Sequence, residues 1–292
     1  MYFKQRGHCP QKGNAMFGLF RRNKTQSITG ISSERLALLT VSEWLKPMKQ
    51  VDFEMADQSL EEMYEWLSTL DKQSWLNGGH YNVTEQPSGK YQLHLSRFLG
   101  SEVLPVVLTN NCESLLYSLP LLHSPRKDLG IIHIGRQLEL KASLEPDQGS
   151  AFHFALTRYN ECRLFCLGID AQAESDRALE YAEDLGCDWM TLPECSFGHR
   201  FQVKQQLASY LSHCEDIVVN IDLACLYPVS RLERGSALDV QMVNRMLRQM
   251  LISGKVRQIQ LVGYKDKHLY SKQTQAILHE LAALFPSSHR AA

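Results

Sequence analysis

Val218-Val219-Asn220-Ile221-Asp222-Leu223-Ala224-Cys225-Leu226-Tyr227-Pro228 is the stretch that decides the fold. An apolar run carries a lone carboxylate near its end and closes at a proline. That is the signature of a central strand in a parallel sheet, buried on both faces and so apolar without alternation. In such sheets ligands bind beyond the carboxyl ends of the strands. Asp222 is therefore the first candidate site residue.

Working outward, the same kind of pattern recurs. Downstream, Val240–Ser253 reads as a helix closed by Gly254, Ile259–Tyr264 as a strand and Ser271–Phe285 as the last helix. Upstream, strands are expected at Val103–Thr109, Leu129–Ile134, Arg163–Ile169 and Trp189–Leu192. Helices are expected at Ser114–Leu119, Ala151–Tyr159, Ala173–Leu185 (stopped by Gly186) and Gln202–Cys214. Strands alternating with helices specify an α/β chain with a mostly parallel sheet covered on both faces.

The first third is less regular. Ser59–Leu70 has apolar residues at 60, 63, 64, 67 and 70, with Ser59 placed to cap and Glu62 three residues on, which predicts a helix. Ser32 and Ser33 with Glu34 suggest a capped short helix over Arg35–Leu39. Asn77-Gly78-Gly79 marks a turn, and Tyr91–Phe98 reads as a strand or a short helix. No repeat or linker divides residues 25–292, which are expected to form one domain. Residues 1–24 are basic and contain glycine, with no secretory h-region or cleavage site. They read as a poorly ordered extension, and Met16 offers an alternative start.

The 292-residue length suffices for a large core without disulfides or structural metal. A formal charge of −1 supplies no field for nucleic acid or an acidic membrane surface, and neither is expected as a partner. The eight cysteines form no CxxC pair, and several lie in apolar runs. Reduced core cysteines and a cytoplasmic location are the expectation. No apolar stretch is long enough for a transmembrane helix.

Read in order, NNCE after one strand, GRQLEL after the next, then GSAF, RLFCLGI, ESDRALEYAEDLG, VVNIDLACLYP, RGSALDV, ISGKVRQIQLVGY and KQTQAIL resemble the ureohydrolases. This is the arginase, agmatinase and formimidoylglutamase family, and formimidoylglutamase is the most similar branch. The resemblance runs from about Val103 to Phe285. It implies a three-layer αβα fold of the arginase type, and in the family a binuclear manganese site at the strand ends. Two divalent ions that share a hydroxide there must be held by anionic oxygen donors.

Carried over position by position, the family's first histidine falls on Cys112. Its Asp-x-His-x-Asp falls on Gly135, Gln137 and Glu139, and its Asp-x-Asp on Asp222 and Ala224. A later glutamate near the substrate falls on Gly263. Only Glu139 and Asp222 offer carboxylates, Gln137 is a weak neutral donor, and Cys112 brings a soft sulfur unsuited to manganese. Gly135 and Ala224 bring no donor. Neither manganese nor any other cofactor is expected.

Several residues remain as possible pocket groups. His133 shares the side of its strand with Gly135, where a packed histidine is the bland expectation and a ligand or base the sharp one. Glu113 could join Glu139 and Asp222 around one ion. His153 lies on the helix after Gly149-Ser150, a loop that in the family touches the substrate's carboxylate end. Lys265 and Arg136 are candidate partners for an anion. Cys112 with His133 would be a thiol nucleophile and base, against an inert buried thiol. Glu194, Cys195, Ser196 and His199 have no constrained triad spacing. The expectation is a ureohydrolase-fold protein without the binuclear site, acting as a small-molecule binder, a regulator or a homo- or hetero-oligomeric subunit. The alternative is an amidine or guanidine hydrolase with a single-metal site.

Overall fold

The computed structural model describes residues 35–70, 75–84, 88–228 and 237–285. The N-terminal extension expected over 1–24 lies outside them. The strands are β1 (Arg35–Ser42), β2 (Trp75–Asn82), β3 (Val103–Thr109), β4 (Leu129–Ile134), β5 (Cys162–Ile169), β6 (Asp188–Thr191), β7 (Asp216–Asp222) and β8 (Val256–Val262). The helices are α1 (Gln50–Leu70), α2 (Ser88–Leu99), α3 (Leu119–Leu122), α4 (Ala151–Arg158), α5 (Asp176–Asp184), α6 (Arg200–Ser212), α7 (Val240–Ile252), α8 (Asp266–Leu269) and α9 (Lys272–Leu284).

The strands form one sheet in the order β2-β1-β3-β8-β7-β4-β5-β6, and every pairing is parallel. Alternate residues of the central strands feed two cores. Ile132, Ile134, Val219, Ile221, Ile259 and Leu261 pack with α1, α6, α7 and α9. Ile131, Leu164, Cys166 and Val218 pack with α2, α3, α4 and α5. This is the three-layer, arginase-like α/β arrangement. The chain leaves β3 and skips two places to β4, and β7 and β8 later fill the gap. The sheet therefore has a topological switch at β3, β8, β7 and β4, where a crevice opens at the carboxyl ends.

Three expectations fail in the first third. Arg35–Leu39 is strand, not helix: Arg35–Ser42 pairs along β2 and β3, burying an apolar run on both faces. The capping signal that suggested a helix lies outside the described residues. Asn77-Gly78-Gly79 is no turn but the middle of β2, beside a register shift between Leu38 and Leu39. A Cβ on Gly78 would lie 2.5 Å from Leu39 Cγ and 2.6 Å from the Leu38 carbonyl oxygen, so close approach of the two strands requires glycine. Ser59 is interior to α1, whose N-terminus is Gln50, and its hydroxyl donates to Asp266 at 2.9 Å instead of capping. Tyr91–Phe98 resolves to helix within α2. No described helix is long and apolar enough to cross a membrane.

Candidate functional site

A cavity of about 350 Å³ opens at the carboxyl ends of the four strands that flank the switch. The turn after β3 brings Cys112 and Glu113, the loop after β4 brings Gln137 and Glu139, the end of β7 brings Asp222 and Ala224, and the end of β8 brings Gly263 and Lys265. The residues aligned with the family's motifs thus converge on one place. Gly135 lies beneath them, buried in the sheet.

What lies under the cavity differs from a metal cradle. A Cβ built on Gly135 would stand 2.2 Å from His133 Nε2 and 2.5 Å from its Cε1. The imidazole therefore occupies the space from which a side chain at 135 would begin. His133 is packed and tilts against Phe152 with ring centroids 4.9 Å apart. Asn220 Nδ2–H donates to His133 Nδ1 at 2.8 Å, and His133 Nε2–H donates to the Gln137 carbonyl at 3.0 Å. The amide of Asn220 is fixed in that sense because its Oδ1 accepts from Gln260 Nε2 at 2.9 Å. Gln260 Nε2 also donates to the Cys112 carbonyl at 3.0 Å. Burial pushes the His133 pKa down to about 4, so the ring is neutral with both nitrogens engaged. Its one lone pair, on Nδ1, is taken by the Asn220 amide.

Cys112 is similarly spent. Asn220 Nδ2 also points at its sulfur at 3.5 Å, and burial, followed by the charges of Glu139, Glu113 and Asp222, raises the thiol well above its ordinary value. A protonated thiol beside a neutral imidazole whose two nitrogens are already hydrogen-bonded is no nucleophile–base pair.

Two of the three carboxyl groups are held by backbone amides. Glu113 is buried, and its Oε1 accepts the amides of Gly149 at 2.8 Å and Ser150 at 2.9 Å, pinning the loop before α4. Burial still raises its pKa, against the pull of those amides. Asp222 Oδ1 accepts the Ala224 amide at 2.9 Å and so starts the short 3-10 turn Leu223–Leu226. Its pKa is raised by burial, and the Ala224 amide and Arg136 pull it back. Glu139 has φ +52°, a left-handed conformation uncommon for a non-glycine residue. Burial, then Glu113, Asp222 and Glu174, push its pKa up to about 8. Among the described residues no three His, Cys, Asp or Glu side chains are grouped to hold an ion. The manganese pair implied by the family does not fit the residues present: Gly135 has no room for a donor, Ala224 has none, and Glu113 is committed to backbone.

The remaining candidates separate. Ser150 is fully buried, donating to the Asp147 carbonyl at 2.6 Å and accepting from the Asp147 amide at 3.0 Å, so it closes a turn. His153 does not face the cavity; its Nδ1 meets the Tyr181 hydroxyl of α5 at 2.7 Å. Gly263 is hemmed in by Leu223, whose Cδ1 would lie 3.1 Å from an added Cβ. Lys265 is exposed at the rim, with Nζ 5.7 Å from the Tyr264 ring centre. Arg136 is buried, and Nε, Nη1 and Nη2 have no hydrogen-bond partner among the described residues. Ser196 Oγ and His199 Nδ1 approach to 3.1 Å on the exposed turn before α6, while Glu194 is held by Thr191, so no triad forms.

Sequence reasoning missed Asn220 and Gln260, which form the polar layer beneath the cavity, and read His268 with Lys265, Asp266 and Lys267 as a solvated strand-end loop, whereas His268 is buried, lines the cavity and stacks on Tyr227 at 4.8 Å. One signal was present: buried-looking polar residues inside two otherwise apolar strands, Asn220 in β7 and Gln260 in β8.

No family model matches the sequence. A formimidoylglutamase from Chromobacterium violaceum is 25% identical over 152 residues, 49% of this chain and 49% of that protein, so the match spans about half the relative's length. The crystal structure of formimidoylglutamase from Bacillus subtilis superposes with a TM-score of 0.67 at 13% identity, covering 94% of this chain and 95% of that one. The Helicobacter pylori arginase superposes with a TM-score of 0.62 at 12% identity, covering 85% and 99%.

Proposed function

We propose that this chain, which has the arginase-like fold and the sequence kinship of the ureohydrolase family, acts by binding rather than by metal-assisted hydrolysis. One observation carries the proposal: the His133 ring fills the space where a ligand side chain at 135 would start, and both its nitrogens are already hydrogen-bonded. Hydrolysis by a bridged hydroxide needs several anionic donors around two ions. Here the positions under the cavity are bonded to one another instead. The retained cavity, rimmed by Gln137, Glu139, Asp222 and Lys265, is the binding site for a small molecule. Occupancy would be relayed to a partner or to another subunit, and the protein would work in the cytoplasm.

A single-metal hydrolase built on Glu113, Glu139 and Asp222 is the competing function, favoured by the convergence of three carboxyl groups on one cavity. It asks Glu113 to give up two backbone amides that hold the loop at 149–150.

Elemental analysis after purification with and without manganese and zinc separates them, together with thermal melting in each metal. A metal that binds only the folded chain raises the melting temperature by mass action. The expected result is no stoichiometric ion and no shift. About one ion per chain, lost in Asp222→Ala, would establish the single-metal enzyme. Two ions per chain would overturn the proposal outright.

A further inference from the structure

We propose that the buried guanidinium of Arg136 anchors an oxyanion, a carboxylate or phosphate group, at the carboxyl end of β4. Arg136 is 9% exposed, and Nε, Nη1 and Nη2 are all out of solvent with no hydrogen-bond partner among the described residues. Among the described residues no carboxylate makes an ion pair with it. The guanidinium keeps its charge at every working pH, and a charge withdrawn from water without a partner is among the least favourable features a fold can hold. The backbone is fixed, since the Arg136 carbonyl accepts from the Asp170 amide at 2.9 Å, so the side chain is not inward because a loose loop happened to leave it there.

Nearby carboxyl groups are held by backbone amides. Asp222 is near enough for Arg136 to pull on its pKa, yet its Oδ1 is taken by the Ala224 amide. Glu113 holds Gly149 and Ser150, and Glu174 accepts the Leu138 amide at 2.8 Å. Five donors in a rigid fork match two coplanar oxygens, which is the geometry of a carboxylate or of one edge of a phosphate. Gln137, next in the chain, and Asp222, near in space, both line the cavity, which gives the rest of such a ligand its room. Because the nitrogens are covered, the anion enters by local opening and leaves slowly. The site does not depend on whether a metal binds, and it stands or falls separately from the function proposed above.

The test is thermal melting of the full chain in chloride buffer, titrated with inorganic phosphate and separately with acetate. Wild type, Arg136→Met and Arg136→Lys are compared, because phosphate also stabilises proteins without a site. Wild type is expected to show a saturable rise with at least one anion. Arg136→Met should lose that rise and melt no lower than wild type in chloride alone, since it removes an unpaired charge. Arg136→Lys should retain part of a phosphate response and lose most of an acetate response, because lysine lacks the fork. A rise with acetate alone assigns a carboxylate ligand, and a rise with phosphate alone assigns a phosphate. No saturable rise in wild type with either anion, or a response in Arg136→Met equal to that of wild type, overturns the proposal. If Arg136→Met does not fold, the wild-type titration and the lysine variant decide in the same way.

Discussion

Position 135 shows how one residue governs what its neighbour can be. With the His133 ring 2.2 Å from where a Cβ would stand, Gly135→Asp must displace an imidazole held at both nitrogens. Overpacking of this kind costs about 1–3 kcal/mol, so urea unfolding of Gly135→Asp should show a lowered midpoint. The double variant His133→Ala with Gly135→Asp should lose less than the sum of its singles, because the two residues contest one volume. A strictly additive double variant would mean the ring moves aside freely. His133 itself should stay a neutral Nε2–H tautomer down to about pH 4, against an ordinary value of 6.5. A nitrogen-15 NMR titration reads this directly.

Glu43 gives the opposite sign. Burial raises its pKa to about 7, against the Tyr117 hydroxyl that donates to it at 2.6 Å. A carboxyl whose folded pKa lies above its unfolded value stabilises most below about pH 4.5 and loses that contribution as pH rises toward 7. For His133, with its folded pKa depressed, stability falls as pH drops from about 6.5 to about 4. Each group is worth on the order of 3 kcal/mol at full shift. Glu139, pushed up to about 8, adds a second falling slope from about pH 4.5 to 8 that outweighs the opposing slope of His133, so stability should fall as pH rises through that range. Glu43→Gln should remove part of that fall between about pH 4.5 and 7.

At the scale of elements, the polar layer ties three strands together sideways. His133, Asn220 and Gln260 are register partners on β4, β7 and β8, and their side chains bond in a row across the sheet. In a sheet that is otherwise apolar at this depth, such a row is stable only while complete. Asn220→Leu strands His133 Nδ1 without its donor and frees the Gln260 amide from one acceptor. The expected loss is about 3 kcal/mol, because buried groups left unpaired cost about 1–3 kcal/mol each. Equilibrium unfolding measures it, and a loss under about 0.5 kcal/mol would mean that water replaces the missing bonds. Helix starts are more routine. Ser271 Oγ accepts the Thr274 amide at 3.0 Å as the N-cap of α9, so Ser271→Ala should cost about 1 kcal/mol.

For the molecule as a whole, the two cores lie on the two faces of one all-parallel sheet, and among the described residues no three His, Cys, Asp or Glu side chains are grouped to hold an ion. Exhaustive dialysis against a chelator should therefore leave the melting temperature where it was. A fall of several degrees would mean that metal contributes to the folded state and would count against a binding role without one.

The sequence by itself determined much at this scale. From Val103 onward the run lengths, the apolar strands and the glycine stops fix the order of elements, because buried parallel strands and amphipathic helices have distinct local periods. It also determined that Gly135 and Ala224 bring no donor to the strand ends, since that follows from residue identity alone. It failed at Arg35–Ser42 and at Gly78-Gly79, where a capping pattern and a glycine pair spoke for local structure while partners far along the chain imposed strand. Only the tertiary structure decided that His133 takes the room above Gly135, that Asn220 and Gln260 hold it there, and that the Arg136 guanidinium is enclosed with no hydrogen-bond partner among the described residues. Those are relations between strands brought together by a parallel crossover. Local pattern carries the period of an element, whereas the contents of the space between elements depend on register and depth, which only the assembled sheet sets.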